Sequence, residues 1–383
     1  MASKLTGIRF FIFNALAGLG VALLFLSAAE LVARSLLPFP LTSITTYQAY
    51  ADVTYFHRPN SLGYEVSPLD EFKPVRLEYD DAGFRRLNKG IRTHSGNDVV
   101  VLLGDSFVEA RQVESEWTSA GILQNKFPNK RIINAGCSGY TSTTEFLLLK
   151  HRVLNLKPKD IFLFFSFNDY ADNFWYFGGY YKQKNIFDTA RPDQSYLPTV
   201  YKERFETLDN WFFIHSAIYA YLKKLTRPEY VISEWKDVAN STYFNDSPKN
   251  VNKKTSQMSE IEMEILNFTH QGILEMASLA MQAGSQFHVV IIPLPPQVNK
   301  DEWATGKRIF GYARDSIVRE RIYQDRLLEF LAKNNINAID LLPEFEKNSQ
   351  DGRRMYLDFD GHFSTDGNRV VAAVLEDKIK WSR

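Results

Sequence analysis

The chain has 383 residues, 45% of them hydrophobic and 23% charged, with 45 basic side chains balancing 45 acidic ones. This suits one large globular domain or two small ones, with a full core, and it excludes a disordered chain or one drawn to nucleic acid by a net positive field. The single cysteine, Cys137, excludes an intramolecular disulfide and a cysteine-rich zinc site.

Phe10–Ala29 is an uncharged run interrupted by one amide, Asn14. At about 1.5 Å per residue, some twenty helical residues span roughly 30 Å, the thickness of a bilayer core. Lys4 and Arg9 precede the run, and Glu30 and Arg34 follow it. This flank predicts a single-pass anchor over residues 1–37, with a cytoplasmic N-terminus and an extracytoplasmic (periplasmic) body. The alternative is a cleaved signal peptide with Ser27-Ala28-Ala29 at the cleavage site, but the run exceeds a signal core of about 7–15 residues. Ala15, Gly18 and Ala22 form a small-residue face suited to a membrane partner helix.

Pro38-Phe39-Pro40 stops the helix. Residues 38–97 contain turn signals and few periodic segments, and they predict an irregular arm packed on the domain. From Val99 the pattern alternates. Val99–Leu103 is a short, continuous apolar run, expected of a strand buried on both faces, and it ends at Gly104-Asp105-Ser106. Further strands are expected at 131–134, 161–165, 289–292 and 338–340. Helices are expected at 116–126, 143–154, 261–283, 315–334 and 367–379. The alternation predicts an α/β domain over 98–383 with a doubly wound, parallel, five-stranded sheet.

Residues 170–252 interrupt this pattern with an aromatic-rich insert: Phe174–Phe177, Tyr180-Tyr181, Trp211-Phe212-Phe213, Tyr219 and Tyr221. It reads either as an added packing layer or as a wall of a substrate site.

Four chemistry-bearing positions follow successive strands: Ser106, Gly139, Asn168 and His362. Gly104-Asp105-Ser106-Phe107, the segment Asn134–Thr141 with Gly139, Asn168-Asp169, and the terminal Asp/His pair together resemble the blocks of the SGNH (GDSL-type) hydrolase family. The resemblance covers about 98–173 and 287–379. The anchor, the arm with Gly83-Phe84-Arg85 and the Asp172-Asn173 pair are similar to a membrane-anchored bacterial group within it. It implies a serine nucleophile at Ser106, a base at His362, and an oxyanion hole from the Ser106 and Gly139 amides and the Asn168 side chain.

The family's acid usually stands three residues before the histidine, where this chain has Phe359. Asp360 is two before and Asp358 four before. An Asp-x-His spacing resembles the SGNH-like proteins of alginate acetylation. Asp360 is the expected acid, aimed by the freedom of Gly361, and Asp358 is the alternative.

Asp105 and Asp169 are expected to bond loop amides, and Asp172 and Asn173 to line the mouth or cap a helix. Cys137 and the remaining histidines, His57, His94, His151, His215, His270 and His288, are read as structural or exposed. No phosphate loop, dinucleotide fingerprint or metal-ligand spacing occurs, so no cofactor or metal is expected. The resemblance implies an ester hydrolase; the aromatic insert and the likeness in Asp-x-His spacing favour an acylated envelope glycan as substrate, with lipid and small esters as the other substrate classes. The alternatives are an O-acyltransferase for the same kind of substrate and a non-catalytic subunit of a membrane complex.

Overall fold

The computed structural model describes residues 2–37, 39–41, 43–67, 70–87, 98–170, 173, 208–226, 260–307 and 315–381. A 35-residue helix, α1 (Ala2–Leu36), leads the chain. Its segment Phe10–Leu36 has a mean hydropathy of 2.2 and buries none of its apolar window against the protein. By length and composition it suffices to cross a membrane, a test that an N-terminal signal sequence also passes.

Residues 43–87 contain more order than their sequence suggests. β1 (Tyr47–Tyr50) pairs antiparallel with β2 (Thr54–His57), and β3 (Leu62–Glu65) with β4 (Val75–Glu78). The expected irregular arm is therefore two short hairpins. Of these four-residue strands only Val75–Glu78 alternates between buried and outward positions; Thr54–His57 is buried at every position.

The domain then runs β5 (Val99–Gly104), α2 (Ser106–Glu109), α3 (Ser119–Lys126), β6 (Arg131–Gly136), α4 (Ser142–Leu148) and β7 (Asp160–Phe165). Next come α5 (Leu208–His215), α6 (Ala217–Thr226), α7 (Glu260–Gln282), β8 (Gln286–Ile291) and α8 (Pro295–Val298). The chain ends with α9 (Ile322–Lys333), β9 (Asn337–Asp340), α10 (Leu342–Ser349) and α11 (Thr365–Trp381). β5–β9 form one parallel sheet in the order β6-β5-β7-β8-β9. All five strands expected from the apolar runs are present.

Alternate residues of each strand feed opposite faces of the sheet. Val99, Val101, Leu103, Ile161, Leu163, Phe165, Val289 and Ile291 join one core with α4, α7 and α9. Val100, Leu102, Phe162, Phe164 and Val290 join the other with α3, α10 and α11. Burial on both faces explains why these strands read as continuous apolar runs.

Several helix limits differ from expectation for local reasons. Thr118 caps α3 by accepting a bond from Gly121 N at 3.0 Å, so the helix begins at Ser119 and a separate tight turn covers Ser115–Trp117. Past α4 the chain continues as a wider turn over Leu149–Val153. The helix expected from 315 begins at Ile322. Ser364 Oγ accepts from Asp366 N and Gly367 N at 3.1 Å each, which starts α11 two residues before the expected limit. The aromatics Phe174–Phe177 and Tyr180-Tyr181 lie outside the described residues.

Candidate active site

The strand order reverses direction at β5: the chain steps from β5 out to β6, then back past β5 to β7. Open α/β sheets place their sites beyond the carboxyl ends of the strands at such a point. Ser106 leaves β5 there, and Asn168 leaves β7.

Asp105 is the N-cap of α2, its Oδ1 accepting from Phe107 N at 2.9 Å. Its Oδ2 accepts from Asn168 Nδ2 at 3.2 Å and from Ser166 Oγ at 3.3 Å. Asp105 thus ties the serine turn to the asparagine turn. Burial outweighs these bonds and keeps its carboxyl above the ordinary carboxylate range. Asp169 Oδ2 accepts from Ser166 N at 2.8 Å, the loop-amide role expected of it.

His362 reaches this point from the far end of the chain. α11 packs on α3, where the buried Asn368 Oδ1 accepts from Ser119 N and Ser119 Oγ, both at 2.9 Å. This docking carries the loop before α11 back from edge strand β9 to the end of β5. There, His362 Nε2 stands 2.7 Å from Ser106 Oγ, and His362 Nδ1 stands 2.5 Å from Asp360 Oδ1. Gly361, at φ +82°, supplies the turn that lets residues 360 and 362 face each other.

The two candidate acids are separated by geometry. Asp358 turns away: Oδ1 accepts from Ala304 N at 2.9 Å, and Oδ2 bonds Thr305 Oγ1. Gln112 Nε2 lies 3.4 Å from Asp360 Oδ2 and 3.2 Å from His362 Nδ1, a fourth member absent from the sequence reading.

Burial alone disfavours a charged His362, but Asp360, through its charge and its hydrogen bond, overcomes this. With smaller effects from Asp105 and Glu65, the imidazole pKa is raised above its usual 6.5. Conversely, burial pushes Asp360 up, and the charge of His362 and its bonds outweigh that, leaving the carboxyl below its usual value.

The loop after β6 is clamped on both sides. Glu109, fully buried at the end of α2, accepts from Ser138 N and Ser138 Oγ at 2.6 Å each. Tyr55 Oη donates to Ser138 O at 2.9 Å. The 138–139 peptide is trans, so its N–H opposes its C=O. With the carbonyl held by Tyr55, the Gly139 N–H points to the opposite side. Gly139 has φ +79°, and a Cβ there would stand 2.9 Å from Tyr55 Oη, so position 139 favours glycine twice over.

The arm supplies most of this scaffold. Tyr79 Oη and Tyr47 Oη donate to Glu109 at 2.7 and 3.0 Å. His57 Nε2 lies 3.4 Å from Glu109 Oε1, while Thr46 Oγ1 is 2.9 Å from His57 Nδ1. The contacts fit a neutral ring with its hydrogen on Nε2. Burial drives the His57 pKa down to about 4, against the pull of Glu109. Glu109 is held at about 2: burial opposes ionisation, but His57, Arg111 and the bonds from Ser138 and Tyr79 outweigh it. Arg111 pairs with Glu65. The buried Arg85 donates to the carbonyls of Glu109, Ala110 and Val113, closing the turn where Ala110 adopts φ +51°. Glu71 accepts from Phe359 N at 2.7 Å and Asp360 N at 3.0 Å, bracing the loop that carries the acid.

The remaining candidates are structural. Cys137 is buried in the core, and burial pushes its thiol well above the usual range. Asn173 donates to Ser142 Oγ at 2.5 Å and Thr269 Oγ1 at 2.9 Å, locking α4 to α7. His270 is buried 2.8 Å from Tyr170 Oη, and His288 lies 3.7 Å from Asp160. Asp172 and His94 lie outside the described residues. Within the insert, Phe213 packs with Leu41 and Ala220, in contact with Phe39, Tyr219 and Tyr221.

No family model matches the chain, and no curated protein matches it. Solved structures do align with it. A member of the lipolytic G-D-S-L family from Veillonella parvula is 12% identical with a TM-score of 0.38, over 74% of this chain and 98% of that one. An acetyl xylan esterase is 13% identical with a TM-score of 0.37, over 73% and 99%. A lipase/acylhydrolase from Enterococcus faecalis is 13% identical with a TM-score of 0.38, over 74% and 95%. Likenesses this distant do not bear on activity, which has to be judged from the side chains of this chain.

Proposed function

We propose that the chain is a membrane-anchored serine esterase of the SGNH type, deacylating an envelope glycan outside the cytoplasm. One observation carries the chemistry: the line Asp360–His362–Ser106, with contacts of 2.5 and 2.7 Å, at the carboxyl end of β5. A serine hydroxyl needs a base to become nucleophilic, and neutral His362 stands within reach to take its proton. Asp360 fixes the tautomer that leaves Nε2 as acceptor and stabilises the imidazolium.

In this reading, Ser106 Oγ bonds to the ester carbonyl carbon while its proton passes to His362 Nε2. The C–O bond to the alcohol then breaks, and His362 returns the proton to the departing alkoxide. Water repeats the sequence on the acyl-enzyme, releasing the acid and freeing Ser106. The oxyanion of each tetrahedral step is held by the Ser106 and Gly139 amides and by Asn168. The Tyr55–Ser138 bond supports the Gly139 assignment, and the Asp105–Asn168 bond supports that of Asn168.

The full chain in detergent is expected to hydrolyse p-nitrophenyl acetate, and Ser106→Ala to abolish that turnover. Equal rates in the two proteins overturn the esterase. The resemblance of the Asp-x-His spacing to the SGNH-like proteins of alginate acetylation points to acetyl esters and to a second reading, in which a sugar hydroxyl replaces water as acceptor. Incubation with an acetyl donor and a polysaccharide acceptor, comparing transfer with acetate release, decides between them. The anchor reading rests on the length and exposure of α1, and protease protection of the full chain in sealed vesicles tests its orientation.

A further inference from the structure

Helices α5 and α6 carry two apolar faces, and only one is covered among the described residues. The inner face, with Phe213, Ala217 and Ala220 buried, packs towards Leu41 and Phe39, just beyond the end of α1. The pair is also bolted to α1 itself. The Glu30 carboxylate accepts from Ala217 N at 2.7 Å, Ile218 N at 3.2 Å and Ser216 Oγ at 2.9 Å, which caps the start of α6. Arg34 donates to Glu30 at 2.8 Å and to the His215 carbonyl.

The outer face is different. Ile218, Leu222 and Leu225 fall at i, i+4 and i+7, one stripe along α6. Leu222 is 56% and Leu225 78% exposed, and on α5 Trp211 is 52% and Phe212 44% exposed. An apolar patch of this kind marks an interaction surface. The start of α6 is hydrogen-bonded to Glu30, in the last turns of a helix whose own apolar side chains are exposed along its length. Lys223 and Lys224 close the last turn of α6 away from the stripe, Lys223 Nζ 5.3 Å from the ring of Phe213 and Lys224 Nζ 5.9 Å from that of Tyr221. Apolar stripe, tryptophan and paired lysines are the composition of a helix lying in a membrane interface.

We infer that α5 and α6 lie in the headgroup region of the bilayer that α1 crosses. Trp211, Phe212, Leu222 and Leu225 enter the acyl boundary, and Lys223 and Lys224 face anionic headgroups. The occupant of the patch is therefore a lipid surface. The inference rests on the reading of α1 as a membrane span.

The test uses the full chain in vesicles of phosphatidylcholine and phosphatidylglycerol. The one native cysteine is buried, so an added surface cysteine can be labelled selectively with an environment-sensitive fluorophore. Labels are placed at Leu225→Cys, at Leu222→Cys as a second site on the stripe, at Gly20→Cys in α1, and at Lys347→Cys on the exposed side of α10. The expected result is blue-shifted emission, quenched by lipid-borne nitroxide, at 225, 222 and 20, with solvent-like emission at 347. Quenching at 20 but solvent-like emission at 225 and 222 overturns the interfacial helices and leaves the anchor standing. Blue-shifted but unquenched labels at 225 and 222 mean a protein segment covers the stripe, which also overturns the inference. Solvent-like emission at 20 as well brings down anchor and inference together.

Discussion

Protonation of His362 decides whether Ser106 has a base. Because burial is outweighed by Asp360, the imidazole keeps its proton to a higher pH than usual. Only the neutral ring accepts a proton, so esterase activity should fall as pH drops, with the midpoint of the acid limb above 6.5. Asp360→Asn should move that limb to lower pH and reduce kcat by up to about 10⁴, the order seen when a catalytic histidine loses its orienting carboxylate. Asp358→Asn should stay within a few-fold of wild type, since that carboxylate serves Ala304 and Thr305 on an exposed turn. Both are read from pH–rate profiles. Asn168→Ala should lower kcat by about 10²–10³ with folding intact, the cost of one lost oxyanion donor.

At the scale of elements, the hairpins of the arm hold the catalytic turns in place. Tyr55→Phe removes one hydrogen bond, that to the Ser138 carbonyl, and frees the peptide that aims the Gly139 amide. Taking about 1 kcal/mol for such a bond, kcat should fall by several-fold to tenfold with KM unchanged. A steady-state comparison checks this, and a changed KM with constant kcat counts against it.

The five sheet strands were legible because each is a short apolar run buried on both faces. The arm was not, because β1–β4 are four residues long and mix aromatic, polar and charged side chains. Beyond the hairpins themselves, side chains of the arm bond partners about 30 to 290 residues away: Tyr79 with Glu109, Tyr55 with Ser138, Glu71 with Phe359 and Asp360. Local periodicity carries no trace of such pairings. Ser106 and His362 were readable from their motif blocks, Asp360 only from its nearness to His362 with Asp358 as the alternative, and the structure brings Ser106, His362 and Asp360 together. Glu109 and Gln112 were not, since a charged or amide residue just past a motif ordinarily faces solvent, and what they meet is remote in sequence: the arm for Glu109, the Asp360–His362 loop for Gln112.

For the molecule as a whole, the buried cluster around Glu109 links stability to pH. His57 is neutral when folded, with its pKa near 4 against a usual 6.5. The unfolded chain therefore binds a proton that the folded chain refuses between those values, and stability declines as pH falls from 6.5 to 4. By linkage the loss is on the order of 3 kcal/mol. Denaturant titrations at several pH values should reveal it, and His57→Gln should flatten the slope across that window.

The docking of α11 on α3 has a temporal side. The hydroxyl and its base are 256 positions apart, so the nucleophile is synthesised long before its partner. Any message cut short of codon 362 yields a product with the serine turn and no imidazole, inert towards esters however well its sheet assembles. Chemical competence arrives only once position 362 has been translated, and until then the growing polypeptide is unarmed.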